Sequence, residues 1–129
     1  MILIDTSAWV EFLRDTGSAV CNRVDALLSD EIATSHPIRM EVLAGARDEQ
    51  HLADLRGLLA RGVLIPTEPM DYEEAAALYR RCRRRGETIR RLIDCLIAAT
   101  AIRASLPILH SDNDFEALAR HTPLTIERT

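Results

Sequence analysis

The chain has 129 residues, 47% of them hydrophobic, 28% charged and 4% aromatic, with a net charge of -4 at pH 7; this predicts a single domain with an aliphatic core and argues against a general nucleic-acid coat. All 16 basic residues are arginine, which excludes a P-loop with its phosphate-binding lysine and a Schiff-base lysine. Three widely spaced cysteines (Cys21, Cys82, Cys95), four histidines without paired metal-ligand spacing, no signal-peptide pattern and no apolar run near ~18 residues together predict a soluble cytoplasmic protein without a structural zinc site.

The opening "MILID" is a short apolar run ending in an acid, as a buried strand should be. "TSAWVEFL" then predicts a helix with Thr6 or Ser7 as N-cap. "RDTG" reads as a turn, and Val20, Val24, Leu27 and Leu28 have helical spacing. "IATS" (32–35) predicts a second strand. Pro37 suits the first turn of a helix running through "IRMEVLAGA", and Leu52, Leu55, Leu58 and Leu59 mark another. "VLIP" (63–66) predicts a third strand. "DYEEAAALYRRCRRR" (71–85) predicts a helix stopped by Gly86. "RRLIDCLIAAT" (90–100) predicts a helix covered on all sides, "PILHSDNDF" (107–115) a strand followed by a helix start, and "LTI" (124–126) a last strand. This alternation predicts an α/β fold: a mostly parallel, short-stranded sheet with helices on both faces. Ligands of such sheets bind outside the carboxyl ends of the strands.

The acids gather toward that edge. Asp5 ends the first strand, and Asp112 and Asp114 follow the strand "ILH". Glu41 and Asp94 are expected near helix starts that can point the same way. An Asp at a strand end is often only a turn or cap residue, and a helical Glu is often only a solvated helix former. Asp94 resists that reading, because it is set into an apolar run where an unpaired ionised carboxylate costs several kcal/mol. Converging carboxylates repel each other and favour protonation unless a cation joins them. A hard divalent ion such as Mg²⁺ or Mn²⁺ takes oxygen ligands of this kind, with Asp94 as one ligand. An acidic metal cluster without a nucleophile triad or cofactor motif suggests phosphodiester hydrolysis by a metal-activated water.

"ILIDTSAWVEFL", Glu41 in "PIRMEVLAGA", Asp94 in "IDCLIAATA" and "LHSDNDF" together resemble the PIN-domain ribonucleases, and most closely the VapC toxins of bacterial toxin–antitoxin pairs. The resemblance covers essentially the whole chain, with the motifs in order. It implies a three-layer PIN fold over residues 1–129, a Mg²⁺- or Mn²⁺-dependent endoribonuclease, a homodimer and a VapB-like antitoxin partner. Asp5, Glu41, Asp94 and Asp112 match the family's catalytic acidic quartet. The implied metal ligands are Asp5, Asp94, Asp112 and Asp114, with Thr6 and Ser7 as the small polar pair behind them.

"YRRCRRRGETIRR" (79–91) holds seven arginines in thirteen residues. It is either a solvated helix end whose charges suit the helix dipole, or an RNA backbone track in which Arg80, Arg81, Arg84 and Arg85 meet phosphates. Trp9, Phe12 and Leu13 form an apolar stripe, expected in the core or in a groove for a partner. Two other functional classes stay open on sequence: a phosphoacceptor signalling module, which the absent lysine disfavours, and a non-catalytic scaffold of the same fold.

Overall fold

The computed structural model describes residues 1–129. In chain order it places β1 (Ile2–Ile4), α1 (Thr6–Leu13), α2 (Ala19–Leu27), β2 (Ile32–Ser35), α3 (His36–Ala44), α4 (Glu49–Leu59), β3 (Val63–Ile65), α5 (Pro69–Arg84), α6 (Leu92–Arg103), β4 (Ile108–Leu109) and α7 (Asn113–His121). The four strands form one parallel sheet in the order β3-β2-β1-β4. The seven helices cover its two faces, as the alternation predicts. β1 pairs with β2 through Ile2 and Leu3 and with β4 through Leu3 and Ile4. It is therefore the switch point, where the chain leaves for opposite sides of the sheet, and the crevice beyond its carboxyl end is the natural ligand position.

Local chemistry sets the element ends. Asp5, still extended at φ -70 and ψ 159, is the N-cap of α1, and its side chain accepts the Ser7 N–H. This corrects the expectation of Thr6 or Ser7: the carboxylate at the strand end is already placed to take the first free N–H groups. α5 starts at Pro69, two residues before the predicted Asp71, because Asp71 reaches back to accept the Glu68 N–H at 2.9 Å. It stops as predicted at Gly86, whose φ of +85 suits glycine, with Gly86 N–H on Arg83 O and Glu87 N–H on Cys82 O closing a Schellman turn. The predicted last strand does not form. Only Ile126 makes an isolated bridge to Ile108, too little pairing with the edge strand β4 for a ladder.

α6 is buried nearly all round, as its uniform apolarity requires, and packs most extensively on α5. Trp9 is buried in the core with Phe12 edge-on at 6.1 Å, while Leu13 is exposed and lines a cleft of about 360 Å³ that also borders Thr6 and Glu41. All three cysteines are buried free thiols. No helix is long and apolar enough to cross a membrane.

Candidate active site

β1 delivers Asp5 to the carboxyl edge of the sheet, and the turn after β4 delivers Asp112, which caps α7 by accepting the Asp114 N–H at 3.0 Å. Asp94 sits in the first turn of α6. Glu41 lies in the second half of α3, not near its start as expected; the helix carries it to the site because Ile38 and Val42 bury the adjoining face. The structure thus brings the predicted acids to one edge. Asp94, Asp112 and Asp114 each offer an oxygen within 4.8 Å of the others. Asp5 and Glu41 lie close enough to Asp94 for their charges to act on it.

Each acid is held differently. Asp5 is 1% exposed; its Oδ2 accepts the Ser7 hydroxyl at 2.6 Å and the Ser7 N–H at 2.9 Å. Glu41 Oε1 accepts the Thr6 hydroxyl at 2.8 Å. Thr6 and Ser7, neighbours in one turn, thus each hold one carboxylate. Asp94 is fully buried, and its Oδ1 accepts from the Arg91 guanidinium at 3.2 Å. Two buried carboxylate oxygens, Asp5 Oδ1 and Asp94 Oδ2, have no hydrogen-bond partner. An orphaned buried acceptor costs about 1–3 kcal/mol, so these two oxygens mark where a cation would be favoured.

The electrostatics agree. Burial pushes the Asp94 carboxyl up to about 7; Arg91 opposes the rise, while Asp5, Asp112 and Glu41 add to it. Burial pushes Asp5 up to about 6 against its Ser7 hydrogen bonds, with Glu41 adding to the rise. These groups resist ionising together, and a divalent ion would release that resistance.

Sequence reasoning missed the two arginines that meet these acids. Arg90 donates to Asp112 Oδ1 at 3.0 Å through its guanidinium and to Asp114 Oδ2 at 3.1 Å through its backbone N–H. Arg91 reaches Glu41 at 3.4 Å, Asp94 at 3.2 Å and Asp112 at 3.6 Å. The available signal was the position of Arg91 three residues before Asp94, a spacing that meets on one helical face. His110, given no role from sequence, accepts the Asp112 N–H on Nδ1 and contacts Glu116 through Nε2. Burial lowers its pKa, so a neutral ring with its proton on Nε2 fixes the turn that carries Asp112.

A family model of the PIN domain matches residues 2–121. The chain belongs to the PIN-domain family. This PIN domain is 49% identical over 129 residues to the VapC ribonuclease Mb1587 of Mycobacterium bovis and to Ribonuclease VapC11 of Mycobacterium tuberculosis, with 96% of this chain and 96% of each relative covered. It shares its fold with the crystal structure of VapBC2 from Rickettsia felis bound to a DNA fragment from their promoter, at a TM-score of 0.78 and 22% identity over 98% of both chains.

Within this PIN domain Asp94, Asp112 and Asp114 form a set of oxygen donors that could hold a metal ion. Arg80, Arg81, Arg84 and Arg85 lie apart from that set, exposed at the end of α5 and without ion-pair partners. Arg81, Arg84 and Arg85 share one shallow surface depression.

Proposed function

We propose that this PIN domain, as a single domain over residues 1–129, is a Mg²⁺- or Mn²⁺-dependent endoribonuclease, the toxin of a VapBC-type toxin–antitoxin pair. The observation that carries the reading is the pair of buried, unpartnered oxygens, Asp5 Oδ1 and Asp94 Oδ2, among converging acids. Asp5, Asp94, Asp112 and Asp114 would hold the ion. When bound, such an ion acidifies a water and stabilises charge developing on the phosphate.

The chain's own residues do the rest. Glu41, held by Thr6, accepts a proton from the attacking water. Ser7 keeps the Asp5 carboxylate turned so that Oδ1 stays free. Arg80, Arg81, Arg84 and Arg85 supply a phosphate track, supported by their exposure and lack of acidic partners. A VapB-like antitoxin fits the cleft bordered by Leu13, Thr6 and Glu41, which leads to the acids. A homodimer is supported by the apolar hollow lined by Tyr72, Ala75, Ala76, Leu92, Ile93 and Leu96, where exposed Tyr72 and Leu92 otherwise meet water. A reducing cytoplasmic setting agrees with three free thiols.

The deciding experiment is RNA cleavage by protein stripped with EDTA and then resupplied with Mg²⁺ or Mn²⁺. Cleavage should vanish and return. Full cleavage by the stripped protein would falsify the metal-dependent reading.

A further inference from the structure

We propose that this site is built for one divalent ion per chain and that the Arg91 guanidinium takes the place of a second cation among Glu41, Asp94 and Asp112, an inference resting on the metal-dependent ribonuclease reading above. In two-ion hydrolases a pair of cations about 4 Å apart shares carboxylates and flanks the phosphate. Here Asp94 is divided between two directions. Its Oδ2 is buried and unpartnered, while its Oδ1 accepts from Arg91 at 3.2 Å. The same guanidinium lies 3.4 Å from Glu41 Oε2 and 3.6 Å from Asp112 Oδ2. It therefore fills the space between three acids that a second ion would need. Arg90 closes the other side, between Asp112 and Asp114.

A guanidinium suits that place. It keeps its charge at any working pH and carries five donors in a planar fork. Three carboxylates do not use up that fork. The Arg91 side chain is 50% exposed and opens on a hollow of about 470 Å³ lined by Arg90, Arg91 and Asp112. From there its outward N–H groups can donate to a phosphate oxygen of RNA, the service a second metal gives elsewhere. Position and chain direction make this available: Arg91 stands immediately before α6, one helical turn from Asp94.

The test is a Mn²⁺ titration of the full chain followed by calorimetry and electron paramagnetic resonance. The wild type should bind one Mn²⁺ per chain with an uncoupled spectrum. Arg91→Gln should double the bound Mn²⁺ and show a spin-coupled pair. Arg91→Lys keeps the charge and should stay at one. Two coupled ions in the wild type, a second ion in Arg91→Lys, or an unchanged single ion in folded Arg91→Gln each overturns the proposal. Should Arg91→Gln not fold, the wild type and Arg91→Lys decide. A wild type that binds no Mn²⁺ overturns the metal-dependent reading itself, and this inference with it.

Discussion

The Ser7 hydroxyl accepts the Ser111 backbone N–H at 2.9 Å across 104 residues of sequence while donating to Asp5 at 2.6 Å. One small side chain thus fixes the turn after β4, which carries Asp112, relative to the end of β1, which carries Asp5. Ser7→Ala removes both bonds. Stability should fall by about 1 kcal/mol for each of the two bonds, read as a lowered Tm. RNA cleavage should fall further, by about tenfold or more, because small misplacements of reacting groups are expensive. Unchanged cleavage would show that the Asp5 orientation does not depend on Ser7.

Thr6→Val keeps the shape at the start of α1 and removes the donor to Glu41. The freed carboxylate retains Arg91 as a partner, so the fold should lose only about 1 kcal/mol. Cleavage should drop about tenfold, corresponding to ~1.4 kcal/mol of transition-state stabilisation, with RNA binding preserved. Equal losses in binding and cleavage would assign Thr6 to RNA binding instead.

Asp94→Asn tests the buried acid directly. The folded-state pKa of Asp94, about 7, is raised above the ordinary carboxylate value. Its protonated form is thus favoured by folding, and the associated stability is present below pH ~4 and lost as pH rises to ~7. Asparagine has no such loss. In EDTA, the Tm of Asp94→Asn relative to wild type should therefore rise between pH 5 and pH 8. Mg²⁺ should stabilise the wild type through linkage and the variant less, and the variant should be inactive. An active variant with no change in metal response would remove Asp94 from the metal site.

Arg80, Arg81, Arg84 and Arg85 form the exposed end of α5. Replacing all four with Gln should weaken RNA binding and flatten its log–log salt dependence by ~0.7 for each phosphate of single-stranded RNA that is no longer neutralised. The position of cleavage should not move, because the acids are untouched. An unchanged slope would return the four side chains to the role of solvated charges.

The elements that depend on local pattern were readable in the chain alone. "ILI" has no polar face and must be a buried strand, and "LIDCLIAATA" is apolar all round and must be a buried helix. Asp94 stood out because such a helix gives a lone carboxylate no water. The order of the acids carried the family. Other features waited for the tertiary structure. Asp5 proved to be a helix cap, because it is the single residue between the end of β1 at Ile4 and the start of α1 at Thr6. "LTI" has strand composition, but a strand needs a partner ladder, and β4 offers it a single bridge. The arginine run looked continuous from Tyr79 to Arg91, yet Gly86 breaks it at a positive φ. The arginines before the break stay on the helix surface. Arg90 and Arg91 are turned back to acids 22, 24 and 50 residues away. Composition and periodicity report only neighbours along the chain, whereas the charge balance of this site is set by groups that meet through space.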